Sequence, residues 1–401
     1  MAKRVVLAYS GGLDTSVAVR WMIEEWGVEV VALAADVGQL DPSEYGSIAE
    51  RARAAGAIDA RVVDVRTEFA AAYFGPALRA NALYEGKYPL VSALSRPVIA
   101  KHLVATAREV DAQAVAHGCT GKGNDQVRFE VSVRALAPDL EVLAPVRAWG
   151  LTREDAIDYA ERAGIPLTVT KEKLYSIDEN LVGRAIECGV IEDPWIAPPP
   201  DVYTMTRSIR DAPAEPRDVV VRFDQGVPVA LDGVELPFDR LVGELNHVVG
   251  AYGFGRIDMV ENRRVGIKSR ETYECPGALA LIAAHADLES VTVERDLMRE
   301  KARLEPRYAE VVYDGLWFSP LRQALDAFVD VSQVDVTGEV RLALEPGRCF
   351  PTGRRAERSL YDYGLATYEA ADEFRHEDAA GFVRLWGLSL ETWARQQGDT
   401  A

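Results

Sequence analysis

The segment Ala8-Tyr9-Ser10-Gly11-Gly12-Leu13-Asp14-Thr15-Ser16 decides the fold of this chain of 401 residues. An apolar run precedes it at 5–7, and a helix-like pattern of apolar side chains follows it. A strand, a glycine turn and a helix in this order point backbone N–H groups and the positive end of a helix dipole at an anion. Gly11 and Gly12 lack a β-carbon, so the backbone can turn sharply and approach phosphate oxygens closely. The segment therefore predicts a phosphate-binding loop, called the glycine loop below.

Asp14 adds a carboxylate to this loop. Beside a polyphosphate its charge would repel the ligand unless a divalent cation lay between them, and Mg²⁺ is the usual oxygen-ligated bridge. The loop matches neither G-x-x-x-x-G-K-[ST] nor G-x-G-x-x-G, so it is neither a Walker A loop nor a dinucleotide fingerprint. We therefore predict a loop for Mg²⁺-nucleotide with Asp14 as the metal ligand. An ordinary glycine-rich turn between a strand and a helix is the alternative.

The composition restricts the classes of partner. The chain has 45 basic and 63 acidic residues, a formal net charge of −18. Because phosphate neutralisation supplies most non-specific affinity for nucleic acid, we expect small substrates and no nucleic-acid partner. No apolar stretch approaches the roughly 20 residues of a membrane span, and the first apolar run stops at Gly11, too early for a signal peptide. Four scattered cysteines without a C-x-x-C spacing predict free thiols and a cytoplasmic location.

Short apolar strands alternate with helical patterns in the first part of the chain. The predicted strands are 4–9, 28–34, 61–65, 113–117 and 141–145, and the predicted helices are 13–26, 43–55, 67–80, 97–110, 126–136 and 152–163. This alternation predicts an α/β domain with a parallel sheet and right-handed crossovers. Ligands of such sheets bind beyond the carboxyl ends of the strands. The glycine loop, Ala35 and the residues after His117 all fall on that edge.

The pattern changes after residue 171. A hairpin is predicted at 218–223 and 227–231, with long helices at 238–251, 276–304 and 320–334 and a further strand at 336–344. This part is therefore predicted to be α+β. The last forty residues are aromatic for a chain end, which fits either a helix docked on its own domain or one exchanged between subunits. We predict three parts, 1–166, 167–361 and 362–401.

A second dense motif is His117-Gly118-Cys119-Thr120-Gly121-Lys122-Gly123-Asn124-Asp125-Gln126-Val127-Arg128-Phe129. Its glycines allow close backbone approach, and Thr120 and Asn124 can hold a carboxylate. Asp125 suits an ammonium group, and Arg128 suits a carboxylate through a two-pronged contact. Carboxylates together with an ammonium group indicate amino-acid substrates. A solvated hairpin or helix N-terminus is the alternative.

Both motifs resemble those of known proteins. The glycine loop resembles that of the ATP pyrophosphatases of the PP-loop superfamily, which split ATP between its α and β phosphates. The second motif is similar to that of one branch, the argininosuccinate synthase family. Further segments agree in family order, namely 82–90, 95–97, 176–181, 255–263 and 268–274. The resemblance implies a nucleotide-binding domain of the adenine nucleotide α-hydrolase type, an α+β synthetase domain and a C-terminal helical oligomerisation segment.

The resemblance also implies where each substrate binds. The ATP positions are Ala8, Tyr9, Ser10, Gly11, Gly12, Leu13, Asp14, Thr15, Ser16, Ala35 and Gly118. The aspartate positions are Thr120, Asn124 and Asp125. The citrulline positions are Tyr88, Asn124, Arg128, Ser176, Glu261 and Tyr273. Asp14, through Mg²⁺, is a predicted catalytic residue, and we add Lys122 as a second cation for the polyphosphate or the adenylate.

The implied activity is the ATP-dependent ligation of citrulline and aspartate to argininosuccinate in arginine biosynthesis. The resemblance further implies release of AMP and pyrophosphate, a citrulline adenylate as the intermediate, and a homotetrameric enzyme. Ala93 and Ala185 depart from relatives that have serine there, and Ser92 is a candidate replacement for the first. The alternatives are another PP-loop ligase, such as an amidotransferase synthetase or a tRNA-modifying enzyme, and a non-catalytic nucleotide sensor. The joint presence of Asp14 and the second motif argues against a sensor, which needs only nucleotide contacts.

Overall fold

The computed structural model describes residues 2–165 and 175–397. The chain divides into two compact units, residues 1–358 and 359–401. The predicted boundary between 166 and 167 lies outside the described residues, and the three predicted parts stay a prediction. One large apolar cluster takes side chains both from the stretch between Phe69 and Val98 and from strands and helices after Val182. The first unit is therefore tied together by a core that spans the predicted boundary.

A five-stranded parallel sheet forms the beginning of the first unit. Its strands are β1 (Arg4–Ala8), β2 (Glu29–Asp36), β3 (Asp59–Asp64), β4 (Ala114–Ala116) and β5 (Glu141–Leu143). They are ordered β3-β2-β1-β4-β5, and each neighbouring pair is parallel. The α/β prediction is confirmed. The chain moves outward in one direction from β1 to β3 and in the other from β4 to β5, so the topological switch point lies between β1 and β4.

Eight helices accompany this sheet in the described residues. They are α1 (Leu13–Trp26), α2 (Tyr45–Ala54), α3 (Arg66–Phe69), α4 (Gly75–Arg79), α5 (Val91–Glu109), α6 (Asp125–Leu136), α7 (Pro145–Trp149) and α8 (Arg153–Arg162). Helix α1 has the predicted bounds, and Gly27 ends it in the left-handed conformation with φ 62°. Helix α5 begins six residues before the predicted start at Pro97. Its first turns bury Val91 and Leu94 completely, which offsets the roughly 3 kcal/mol that an internal proline costs.

Two antiparallel sheets follow in the first unit. One has four strands in the order β11-β12-β7-β6, and the other has five in the order β10-β9-β8-β13-β14. Their bounds are β6 Ser176–Asn180, β7 Gly183–Glu187, β8 Arg217–Asp224, β9 Val227–Leu231, β10 Val234–Glu235, β11 Arg256–Asn262, β12 Lys268–Glu274, β13 Gly338–Glu345 and β14 Arg348–Ala356. Strands β8 and β9 form the predicted hairpin. The α+β prediction for this part is confirmed.

The helices of this part are α9 (Phe238–Ala251), α10 (Pro276–Thr292), α11 (Arg295–Tyr313) and α12 (Pro320–Ser332). The single helix predicted at 276–304 is interrupted, because Glu294 begins a new one. Its carboxylate accepts hydrogen bonds from the N–H groups of Asp296 and Leu297, which is N-cap geometry. The second helix, α11, ends at Tyr313, a residue of the site described below.

The second unit contains α13 (Tyr363–Ala366) and α14 (His376–Gln396). Helix α14 has large apolar side chains that are exposed to solvent, namely Phe382, Leu385, Trp386, Leu390 and Trp393. In the described residues no helix has both the length and the apolar composition that crossing a membrane requires.

Candidate active site

The glycine loop joins β1 to α1 and is held by its own hydroxyl groups. Gly11 has φ +76°, a conformation that glycine adopts at little cost, and Gly12 is the extended N-cap of α1. Ser10 Oγ lies 3.0 Å from Thr15 Oγ1 and accepts a hydrogen bond from the Gly12 N–H at 3.3 Å. The first N–H groups of a helix have no carbonyl four residues back, so they face the loop as donors. The loop is thus pre-shaped to bind an anion.

The second motif follows β4 and packs directly against the glycine loop. A Cβ built on Gly118 would lie 2.9 Å from Cγ2 of Thr15, so only glycine permits this approach. His117, at the end of the strand, is buried, and its Nδ1 accepts the N–H of Cys119 at 3.2 Å. His117 therefore orients the turn. The two motifs that the sequence singled out meet at the switch point of the sheet.

Asp125 begins helix α6 and accepts hydrogen bonds from two guanidinium groups. Its Oδ2 accepts from Arg96 Nε at 2.9 Å and Nη2 at 2.7 Å, and its Oδ1 accepts from Arg128 Nη1 at 2.8 Å. Burial opposes ionisation of this carboxyl, but the two guanidinium groups outweigh it and lower its pKa. Arg96 also bonds Asp178 at 2.7 Å. Both oxygens of Asp125 thus already have partners, and Asp125 fixes the positions of the two arginines.

Arg128 lies one turn into α6 and is buried. Its Nε donates to the carbonyl of Tyr313 at 3.0 Å, and its Cζ lies 4.8 Å from the centroid of that ring. Its Nη2 is buried and has no hydrogen-bond partner among the described residues. Nε and Nη1 of Arg128 already have acceptors, and Nη2 has none among the described residues. A bound carboxylate would therefore contact one nitrogen of Arg128 and not the two that the sequence predicted.

Glu261 lies at the centre of a buried tyrosine cluster. Its carboxylate accepts from Tyr273 at 2.9 Å and from Tyr313 at 2.7 Å, and Asn124 donates to the Tyr313 hydroxyl at 2.8 Å. Tyr88 stacks on Tyr273 with the ring centroids 4.3 Å apart. Tyr88, Asn124, Arg128, Glu261 and Tyr273 are thus brought into one cluster. Sequence reasoning missed Tyr313, which lies beyond the end of the predicted helix 276–304 in a segment without a motif.

Two more carboxylates and one arginine adjoin Glu261. Arg263 bonds both Glu187 and Glu271, the latter at 2.8 Å, and Tyr273 also donates to Glu271 at 2.6 Å. Burial, followed by the charge of Glu271, raises the pKa of Glu261 and of Glu187 well above the ordinary carboxyl range. The carboxyl groups of Glu187, Glu261 and Glu271 thus disfavour one another's ionisation, and two of them hold their protons more tightly than a free carboxyl does. An ammonium group bound here would favour the ionised carboxylates and pair with them.

The remaining predicted residues lie around this cluster. Ser176 is exposed at the start of β6, opposite Glu187 of β7. Ala185 lies opposite Tyr273 in the β7–β12 pair and is buried. Thr120 and Lys122 are exposed in the turn before α6. The carbonyl of Lys122 accepts from Arg263 Nη1 at 3.4 Å, and this is its link to the cluster.

The glycine loop contains a single carboxylate, that of Asp14. Among the described residues there is no group of three histidine, cysteine or acidic side chains that could hold a metal ion. Asp14 is exposed in the first turn of α1. Mg²⁺ in nucleotide sites is typically held by one or two carboxylates together with phosphate oxygens and water. A single carboxylate beside a phosphate-binding loop fits that pattern.

A parallel sheet with a phosphate-binding loop at its switch point is the architecture of nucleotide-binding α/β domains. Comparison with known families agrees: the arginosuccinate synthase N-terminal HUP domain matches residues 4–166, and the arginosuccinate synthase C-terminal domain matches residues 175–393. The chain belongs to the argininosuccinate synthase family. It is 54% identical over 395 residues to an argininosuccinate synthase of Gloeobacter violaceus, a match that covers 98% of this chain and 99% of that protein.

Proposed function

We propose that the glycine loop and the buried cluster of Tyr88, Asn124, Arg128, Glu261 and Tyr273, called the Glu261 cluster below, form one cleft that joins citrulline to aspartate at the expense of ATP. The chain is an argininosuccinate synthase by family, a ligase of arginine biosynthesis that uses ATP as a substrate. The observation that carries the proposal is the contact of Gly118 with Thr15. This contact brings the glycine loop against the start of the second motif, whose later residues Asn124 and Arg128 belong to the Glu261 cluster, and it supports a shared site for the nucleotide and the amino acids.

The reaction follows from the leaving groups. A ureido oxygen cannot leave as oxide, so it first attacks the α-phosphorus of ATP, and the bond to the β-phosphate breaks with release of pyrophosphate. The aspartate amine then attacks the ureido carbon of the citrulline adenylate. The carbon–oxygen bond breaks, AMP leaves, and a proton of the amine is lost. Argininosuccinate remains.

The nucleotide is assigned to the glycine loop and its neighbours. ATP binds along the glycine loop, Ala8 to Ser16, with Ala35 and Gly118 at its edge. Asp14 would hold Mg²⁺, which would supply positive charge for the departing pyrophosphate, and Lys122 would add a second cation.

The two amino acids occupy the cluster after β4. Thr120, Asn124 and Asp125 bind aspartate, and Asp125 acts partly by holding Arg128 in place. Citrulline binds at Tyr88, Asn124, Arg128, Ser176, Glu261 and Tyr273. Its carboxylate meets Nη2 of Arg128, and its ammonium group meets the carboxylates around Glu261. Placing three reactants in line contributes roughly 7–11 kcal/mol to lowering the barrier.

Isotope exchange tests this order of steps. Labelled pyrophosphate is expected to enter ATP when the protein is incubated with Mg-ATP and citrulline, because adenylate formation is reversible. Aspartate is not needed for this exchange. With aspartate added, AMP and argininosuccinate are expected in equal amounts. Exchange without citrulline would contradict the proposed adenylate, and AMP without argininosuccinate would contradict the proposed ligation.

The assembly is a further part of the proposal. We infer a cytoplasmic homotetramer in which the segment 362–401 contributes to the interfaces. The exposed aromatic and aliphatic side chains of α14 support this, because such patches are uncommon on monomers. Light scattering on the full chain of 44.0 kDa is expected to give four times that mass. A monomeric mass would contradict the proposed assembly.

A further inference from the structure

Arg51 lies in the last turn of α2, and its guanidinium packs against the glycine loop. A Cβ built on Gly11 would lie 3.2 Å from Nη2 of Arg51 and 3.8 Å from its Cζ. The guanidinium thus lies beside the loop backbone, where a larger residue than Gly11 would crowd it. None of the sequence motifs includes Arg51.

Arg51 lacks the partners that its neighbour has. Its Nε is buried without a hydrogen-bond partner, and no ion pair of its guanidinium exists within the described ranges, 2–165 and 175–397. Arg53, two residues on, donates to the carbonyl of Ala60 at 3.1 Å and lies 3.9 Å from a carboxylate oxygen of Asp59. In a chain with 63 acidic and 45 basic residues, acceptors for a guanidinium are abundant. The half-buried guanidinium of Arg51 therefore lies beside the loop without an acidic partner among the described residues.

Two positive charges converge at this loop. The N-terminus of α1 carries the equivalent of about half a positive charge, and the guanidinium of Arg51 adds a full one. Asp14, in the first turn of α1, contributes one carboxylate to the same loop, and the two positive charges together still favour a phosphate anion there. A basic side chain in the last turn of α2 also stabilises that helix, but Arg53 does the same from the surface. The helix dipole therefore explains a cation in this turn and does not explain its contact with the loop.

We propose that Arg51 binds the β and γ phosphates of the nucleotide on the glycine loop and holds the pyrophosphate as it leaves. The inference rests on the function proposed above, since it needs ATP to occupy this loop. A guanidinium presents its donors in a planar fork that matches phosphate oxygens. Negative charge grows on the pyrophosphate as its bond to the α-phosphorus breaks, and a cation already in place stabilises that charge. Arg51 thus acts on the leaving group.

Binding of Mg²⁺-pyrophosphate and of AMP, each measured by calorimetry, tests this role. Arg51→Met keeps most of the aliphatic stem and removes the charge. It is expected to weaken pyrophosphate binding by about 10- to 100-fold, the effect of losing a charge-assisted contact, and to leave AMP binding within about twofold. Arg51→Lys keeps the charge, and its affinity for pyrophosphate is expected to lie between those of the parent protein and Arg51→Met. The matched control is Arg53→Met, which loses the same helix-dipole contribution and is expected to bind both ligands normally.

The outcomes separate this inference from the proposed function. Normal pyrophosphate binding by Arg51→Met, or equal losses for pyrophosphate and AMP, would overturn the role of Arg51 and leave the ligase reaction untouched. A parent protein that binds neither ligand would overturn both. Thermal unfolding of the three variants identifies any loss that comes from the fold, and Arg51→Lys then still decides the question.

Discussion

Replacing Asp14 by asparagine is expected to lower citrulline-dependent exchange of pyrophosphate into ATP by at least about 10²–10³-fold. The change removes the one carboxylate in the glycine loop. Asparagine keeps the size of the side chain and its oxygen, but not the charge that binds Mg²⁺ beside a triphosphate. Without that neutralisation the pyrophosphate is a poor leaving group. Exchange reports adenylate formation alone, so a defect in the later step with aspartate cannot produce this result.

The fold is expected to tolerate Asp14→Asn. Asp14 is exposed in the first turn of α1, where an acidic side chain contributes about 0.3–1 kcal/mol through the helix dipole. The matched control is Glu154→Gln, which removes an exposed carboxylate from the first turn of α8. Thermal unfolding of both variants is expected to stay close to that of the parent. Near-normal exchange by Asp14→Asn would refute the role of this carboxylate. Equal losses of exchange in Asp14→Asn and Glu154→Gln would show that the defect comes from removing any exposed negative charge and not from this position.

Local signals were enough to predict the nucleotide half of the cleft. Residues 4–26 form the strand, turn and helix that the glycines and the apolar pattern indicate, and the parallel sheet follows from regular alternation of strands and helices. In a parallel sheet the carboxyl ends of the strands share one edge. The sequence could therefore predict that the residues after β1 and β4 meet without any knowledge of side-chain contacts.

The amino-acid half was harder to predict because its strands are polar. Strands β6, β7, β11 and β12 have no clean alternation, since charged residues such as Arg184 and Glu274 are buried in pairs on them. Propensity rules place such residues at the surface.

Side-chain contacts between residues far apart in the chain could not be predicted from the sequence either. Arg96 meets Asp178 across 82 residues, and Arg128 meets Tyr313 across 185. The position of Arg51 against Gly11 likewise depends on how α2 packs beside the loop. No local pattern reports such contacts, and they become visible only when the chain has folded.

Replacing Arg128 by leucine is the second change for which we expect a large effect. A carboxylate bound at Nη2 makes a charge-assisted contact worth about 1.5–3 kcal/mol, so the KM for citrulline is expected to rise by roughly 10- to 150-fold. The KM for ATP is expected to change little, because Arg128 contacts Asp125 and Tyr313 and not the glycine loop. Both constants are measured in the pyrophosphate exchange assay, with the other substrate saturating.

The stability of this variant has to be separated from its affinity. Leucine leaves the half-buried Asp125 with Arg96 as its remaining guanidinium partner, and the cost of breaking a fully buried ion pair, about 3–5 kcal/mol, is the upper bound on the loss of stability. Arg128→Lys keeps a positive charge near Asp125 but loses the planar fork, so it is expected to unfold closer to the parent and still to bind citrulline poorly. Arg134→Lys, an exposed change on the same helix, is the control. Equal increases in the two KM values would show that Arg128 supports the cleft as a whole and does not bind citrulline.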